Sequence, residues 1–275
     1  MTYSFSTMHP FDTATLLESL PDGNFRGHTS PAYANMVGPF GGITAACMLQ
    51  APLQHPARLG DPVALTVNFA AALADGEFTI AARALRTNRS TQHWAIELSQ
   101  GGEVAASATA VFAVRRETWS TPEAAPPANL PAPATLTRAP LIGRPAWTRH
   151  YDMRFARGGM PDAFDEQQQL DSVSQVWVRD EPPRPLDFAA LASISDSFFP
   201  RIFVRRRKVA PIGTVSLTTY FHADAAQLRA QGERHVLGTA RALNFRNGYF
   251  DQSAEVWSDD WQLLASSHQI VYYRE

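Results

Sequence analysis

Cysteine is almost absent from this chain, Cys47 being the only one in 275 residues. A single thiol excludes an intramolecular disulfide and any multi-cysteine metal site, and it suits a reducing compartment. Long apolar runs are missing as well: no stretch approaches the roughly 18–20 residues that a bilayer-spanning helix needs. Charge of one sign is scarce. Lys and Arg number 24 against 26 Asp and Glu, a formal net charge of −2, so no global field would gather nucleic acid or an anionic membrane. The N-terminal stretch MTYSFSTMHPFD has neither a basic start nor an apolar core, so no secretory signal is expected in it. Catalytic signatures are lacking too. There is no G-x-S-x-G elbow, G-x-x-x-x-G-K-[ST] loop, G-x-G-x-x-G turn or H-E-x-x-H helix. Those absences argue against an elbow-type serine hydrolase, a P-loop enzyme, a Rossmann dehydrogenase and a zincin. The expectation is a cytoplasmic soluble protein.

What is present is a sizeable core, with 45% apolar and 18% charged residues, and one strong shift in composition. Between Thr121 and Pro145 the chain reads TPEAAPPANLPAPATLTRAPLIGRP. Proline removes a backbone donor and fixes φ, so this stretch predicts an extended connector. The expected organisation is an N-terminal unit over residues 1–120, the connector over 121–147 and a C-terminal unit over 148–275.

The two units repeat one another. LTVNFAA at Leu65–Ala71 answers LTTYFHA at Leu217–Ala223, Ala-Arg-Ala-Leu occurs at Ala82–Leu85 and Ala240–Leu243, and Ala-Ser recurs at Ala106-Ser107 and Ala265-Ser266. The order is kept and the spacing nearly so, which marks a duplication. In the first copy, residues 63–71, 77–87, 91–100 and 103–115 carry β-branched and aromatic residues with partial alternation. Turn signals at Asp75-Gly76, Asn88-Arg89 and Gly101-Gly102 predict an antiparallel meander. Ahead of them the segment from Gly41 to Leu49 is apolar nearly all round, as a buried helix is. In the second copy Asp187 is a candidate N-cap for a helix over Phe188–Phe199, with Pro200 as its stop. The sequence therefore supports a duplicated α+β fold.

Three polar residues of the second copy stand out. Asp196 falls within the expected buried helix, where an ionised carboxylate is costly unless paired. Thr214 opens a strand, and Gln269 lies in the last strand among Ala265, Ser267 and Val271. Their counterparts in the first copy are apolar: Ala110 answers Gln269, Thr214 aligns close to Pro62, and the first helix has no carboxylate. Each of the three also has an ordinary structural reading, as an exposed, capping or strand-edge residue. Gly41 and Gly42 are candidates for oxyanion donors or simply for close packing. The basic run Arg205-Arg206-Arg207-Lys208 could meet the phosphates of a nucleotide-bearing ligand or be a solvated loop. His222 and His268 lie on strands near the three and read most simply as edge residues. Cys47 reads as a small buried apolar residue.

The chain resembles the acyl-CoA thioesterase II family of fused, double-hotdog thioesterases over nearly its full length. Phe40-Gly41-Gly42, Gln175-Val176-Trp177-Val178-Arg179, Ser195-Asp196, Thr214 ahead of Tyr220-Phe221-His222, and Leu264-Ala265-Ser266-Ser267-His268-Gln269 carry the likeness. The resemblance implies a double hotdog, in which a sheet wraps a long helix twice over, and a catalytic Asp, Thr and Gln at Asp196, Thr214 and Gln269. It implies release of a carboxylic acid and CoA by an activated water, a place in fatty acid metabolism, and no cofactor beyond the CoA thioester itself. Arg205, Arg206 and Arg207 would then be candidates for the CoA phosphates. Two alternatives remain at this stage. One is an enoyl-CoA hydratase or dehydratase on the same fold, although the sequence has no Asp-x-x-x-x-His pair of that kind. The other is a non-catalytic protein that binds an acyl thioester. Open sheet edges make a homo-oligomer the expected assembly.

Overall fold

The computed structural model describes residues 8–275. The first seven residues, part of the stretch read for a secretory signal, lie outside the described residues. The first unit holds a short helix α1 (Pro10–Ala14), strands β1 (Glu18–Ser19) and β2 (Phe25–His28), helix α2 (Gly41–Gln54), and the meander β3 (Asp61–Phe69), β4 (Glu77–Thr87), β5 (Thr91–Gln100) and β6 (Glu103–Ala113). The second holds β7 (Tyr151–Arg157), β8 (Ser174–Asp180), helices α3 (Phe188–Ile194) and α4 (Arg201–Arg206), β9 (Ile212–Phe221), α5 (Ala225–Gln231), β10 (Val236–Arg241), the short β11 (Phe245–Arg246), β12 (Tyr249–Trp257) and β13 (Leu263–Tyr273). Alternation decides the faces. In β5, Gln92, Trp94, Ile96 and Leu98 turn inward while His93 and Glu97 face water, the period of two that a half-buried strand requires.

All strands among the described residues join one antiparallel sheet in the order β1-β2-β4-β5-β6-β3-β9-β13-β12-β10-β8-β7, with β11 on β12. The order reads the same from either end once repeat counterparts are matched. The two halves meet at β3 and β9, where Leu65 faces Thr219, Thr66 faces Thr218 and Val67 faces Leu217. Thr66 and Thr218 occupy the same place in the two repeats. Their hydroxyls lie 3.0 Å apart, so the axis relating the halves passes between them. The sheet wraps α2 and α3, which pack on each other inside it. This is the double hotdog.

Helix α2 is buried over most of its length, from Gly42 through Leu49 and at Ala51 and Pro52, as its lack of a polar face predicts. The second helix departs from expectation. It ends at Ile194 rather than Phe199, and Pro200 starts α4 instead of stopping α3. Serine is the cause. Ser195 Oγ donates to Leu191 O at 2.8 Å and Ser197 Oγ to Ile194 O at 2.8 Å, while the amides of Asp196 and Ser197 bond three residues back rather than four. Hydroxyls that take up carbonyls in this way let the chain leave the helix. Asp196 therefore sits in a tight turn beyond α3, not within a helix.

One irregularity is shared by the copies. In β9, Ser216 pairs with Ile270 and Thr214 with Val271, which leaves Val215 as an extra residue. In β3, Ala64 pairs with Val111 and Pro62 with Phe112, which leaves Val63 extra. Such a bulge shifts the face of everything beyond it. Without it Thr214 would share the outer face of Thr218 and Tyr220; with it Thr214 joins the inner face of Leu217, and Val215 is turned out to solvent.

The chain between β6 and β7 has no regular structure beyond two short 3-10 turns, Pro133–Thr135 and Ala146–His150. Its middle lies across the outer face of the second unit, where Leu130 and Leu136 pack on Trp177, Leu237 and Trp257. Its end returns to the interior, and Trp147 stacks on Phe40 at 4.2 Å and 8°.

Candidate active site

The second unit's carboxylate meets the first unit's helix. Phe40, at the N-cap of α2, offers no side-chain acceptor, so the first amides of α2 need one from elsewhere. Helix α3 has its own, because Asp187 Oδ1 accepts from the Ala190 amide at 2.8 Å. At the start of α2 the nearby carboxylate is Asp196. The Gly42 amide acts on its carboxylate, and a Cβ on Gly41 would lie 2.7 Å from Asp196 Oδ2. Glycine is what lets the carboxylate approach the helix end this closely, and the helix dipole favours an anion there.

Strand β13 holds the same turn from the other side. Gln269 Nε2 donates to Asp196 Oδ1 at 2.7 Å, and Ser267 Oγ donates to Ser195 O at 3.2 Å. Burial pushes the Asp196 carboxyl up to about 7, against the smaller opposing effects of the Gln269 hydrogen bond and the Gly42 amide. Desolvation disfavours the charged form, and the two donors offset it only in part. A carboxyl poised near neutrality can hold a proton and release it within one catalytic cycle.

Asp196, Thr214 and Gln269 line one cavity of about 300 Å³ together with Phe198, Phe199 and Phe203. A groove of about 340 Å³ on the side of the first unit, lined by Ala70, Ala71, Leu73 and Tyr272, shares Gly41 and Thr214 with that cavity. The carboxylate thus lines an aromatic chamber that adjoins a second groove at Gly41 and Thr214. The first copy has no such set. Ala110 pairs with Leu65 as Gln269 pairs with Leu217, and Pro62 pairs with Phe112 as Thr214 pairs with Val271.

Two further groups of candidates lie around this set. Gly41 and Gly42, the candidate oxyanion donors, lie beside the Asp196 carboxylate at the start of α2. The members of the arginine run, the candidate phosphate site, each have partners within the chain. Arg205 donates to the Gln169 carbonyl, Arg206 pairs with Glu275 at 3.0 Å and Arg207 with Asp165 at 3.2 Å. None of the three lines the chamber. The arginine that does is Arg144, from the connector, with its guanidinium carbon 6.0 Å from the centre of the Phe199 ring. Neither Arg144 nor Trp147, which also lines the chamber, is signalled by the sequence, since both lie in the proline-rich stretch and reach the site only through the chain's return. His222 bonds Ser266 at 2.9 Å and His268 lies 3.5 Å from Asp251; both are exposed, and among the described residues no histidine lines the chamber. The Cys47 thiol is buried, pushed up to about 12 by desolvation, and donates to the Ala14 carbonyl at 3.4 Å.

Comparison with known proteins fits this geometry. A structure described as a conserved protein of unknown function with hot dog fold, from Alicyclobacillus acidocaldarius, is 49% identical, with a TM-score of 0.92 over 98% of this chain and 99% of its own. An acyl-CoA thioesterase II, TesB2, from Mycobacterium marinum shares the fold at 19% identity, with a TM-score of 0.76 over 96% of this chain and 98% of its own. The dehydratase domain of PpsC from Mycobacterium tuberculosis aligns at 12% identity, with a TM-score of 0.55 over 98% of this chain and 100% of its own. The fold alone therefore does not separate hydrolysis from dehydration. No curated protein matched the sequence. The sequence profile of the acyl-CoA thioesterase N-terminal domain matches residues 30–113, the profile of the C-terminal domain matches residues 122–273, and these two stretches supply the α2 end and the Asp196 turn that meet here: the chain belongs to the acyl-CoA thioesterase family.

Proposed function

We propose that this chain hydrolyses acyl-CoA thioesters to a carboxylic acid and CoA at one site, with Asp196 as the base that activates water. The observation that carries the reading is the buried Asp196 carboxylate, held by Gln269 at 2.7 Å beside the Gly42 amide of α2. A thioester carbonyl is reactive enough that a positioned water with a general base suffices. Gln269 fixes one carboxylate oxygen and leaves the other for the water. The Thr214 hydroxyl, turned inward by the bulge, provides a second hydrogen-bonding partner for that water. Hydration or dehydration on the same fold calls for a second acid or base across from the carboxylate. No histidine among the described residues is in place for that role, which favours hydrolysis. A protein that only bound the thioester would have no use for a carboxylate kept costly by burial.

The aromatic chamber suits the acyl group and the adjoining groove the pantetheine arm. At roughly 30 Å³ per water-sized group, a cavity of about 300 Å³ takes an acyl group on the order of ten heavy atoms. Free-thiol release over acyl-CoAs from acetyl to palmitoyl tests both points. Release is expected, with kcat/KM highest for medium-length acyl groups. Phe203→Ala, which opens the chamber wall, is expected to move the optimum to longer chains. No thiol release from any member would defeat the hydrolase reading, and loss of enoyl absorbance without thiol would favour hydration. A palmitoyl optimum in the unaltered protein would defeat only the assignment of the chamber.

A further inference from the structure

The oxygen of a thioester carbonyl needs a donor as charge develops on it, and the chamber wall holds one. Gln252 on β12 is directly opposite Gln269 on β13 in the register of the sheet. Both are buried on its inner face, and both line the chamber. Residues paired across strands have Cβ atoms ~5 Å apart, so the two amide heads are neighbours. They are turned oppositely. Gln269 gives its Nε2 to Asp196. Gln252 Oε1 accepts from Arg201 Nε at 2.9 Å, and this orientation is forced, because a guanidinium nitrogen can only donate. The NH2 end of Gln252 then has no partner in the protein among the described residues, and it is not sealed from the chamber.

Arg201 is itself unusual. It is completely buried, yet every acceptor it uses is neutral. Besides Gln252 these are the carbonyls of Phe199 at 3.0 Å and Ser172 at 2.8 Å, the hydroxyl of Ser174 at 2.8 Å and the carbonyl of Ala240 at 3.4 Å. Among the described residues it makes no ion pair. Burial lowers its pKa to about 9, which leaves it a cation at neutral pH. A cation with no carboxylate to cancel it, bonded to the far end of the Gln252 amide, polarises that amide as a donor. Fixed donors of this kind act where negative charge develops.

We propose that Gln252 is the oxyanion donor of this site and that Arg201 is its positioning residue. The inference rests on the hydrolase reading. The water oxygen bonds to the carbonyl carbon as its proton passes to Asp196. The carbonyl π pair moves onto oxygen and is met by the Gln252 NH2. The tetrahedral adduct then collapses: the C–S bond breaks, its electron pair leaves on sulfur, and the proton held by Asp196 goes to that sulfur, giving CoA thiol and the carboxylic acid.

Gln252→Glu separates catalysis from support. It keeps the shape and hands Arg201 a carboxylate, but it has no N–H to offer. We expect a melting temperature at or above that of the unaltered protein, kcat for medium-length acyl-CoA lower by about 10²–10³-fold, and KM changed little. Gln252→Met, which leaves Arg201 its carbonyl partners, is expected to lose kcat similarly. Either variant melting cooperatively with kcat within about threefold of the unaltered protein would overturn the assignment. Loss of cooperative melting in both would make Gln252 structural and overturn it equally. Absence of thiol release by the unaltered protein would instead remove the hydrolase reading, and this inference with it.

Discussion

Asp196→Asn is expected to lower kcat for acyl-CoA hydrolysis by about 10²–10⁴-fold, the range for loss of a general base, and at the same time to spare the fold the stability it loses as pH rises toward neutrality. The two effects share one cause. The Asp196 carboxyl is held near 7 in the folded chain by burial, whereas in the unfolded chain it ionises at about 3.9. Between those values the folded state keeps a proton that the unfolded state has released. The contribution of this group to stability is therefore fully present below about pH 4 and is lost as pH rises through about 7. The loss is on the order of 4 kcal/mol. Asn has no charge to bury, so its stability relative to the unaltered protein should rise between pH 5 and pH 8. Part of the gain is forfeited, because Gln269 and the Gly42 amide both donate toward this position and Asn has a single acceptor. Thermal melts at pH 5 and pH 8 check the sign. In the unaltered protein kcat/KM should climb with pH and level off above about 7, as the base ionises. Equal melting differences at both pH values, or full activity in the variant, would count against a buried working base.

Gly41→Ala is expected to cost about 10²-fold in kcat, the order of effect of misplacing a reacting group by an ångström, with little loss of stability. The added methyl would lie 2.7 Å from Asp196 Oδ2, while its next contact, Phe69 Cζ, is at an ordinary 3.5 Å. Alanine is also the better helix former. The carboxylate is what must yield, and it carries the chemistry. Gly42→Ala should behave differently. Its methyl would meet the Ser193 carbonyl at 2.6 Å and the Phe40 ring at 2.5 Å, forcing α2 and α3 apart at a cost of about 1–3 kcal/mol. Steady-state kinetics beside melting temperatures separate the two. A Gly41→Ala variant with ordinary kcat would mean that the carboxylate need not sit where it does.

These contrasts show what could be read from the chain and what could not. The duplication was legible because its periodicity survives in Leu65–Ala71 and Leu217–Ala223, and the pairing of Thr66 with Thr218 places the axis between the copies. The apolar segment from Gly41 announced a buried helix for the same reason that it became one. Asp196, Thr214 and Gln269 could be singled out because their counterparts are apolar. Their surroundings were less accessible. That Asp196 lies beyond α3 depends on the hydroxyls of Ser195 and Ser197 bonding backward, a local competition that helical periodicity does not register. That Thr214 faces inward depends on the extra residue Val215, which reverses the alternation a strand would otherwise impose. The arginine run read as a free basic cluster because its acids, Asp165 and Glu275, are distant in sequence or terminal. Gln252 and Arg201 had no signal of their own. Their meaning arises from register across β12 and β13 and from a guanidinium that can only donate.

The central claim is that water, not Asp196 itself, attacks the thioester. A single turnover with enzyme in excess over a medium-length acyl-CoA in 18O-water tests it directly. Attack by water places one 18O in the carboxylic acid released in the first turnover and none in the Asp196 carboxylate. Unlabelled acid in that first turnover, with 18O in Asp196, would reveal an acyl-enzyme anhydride and contradict the account.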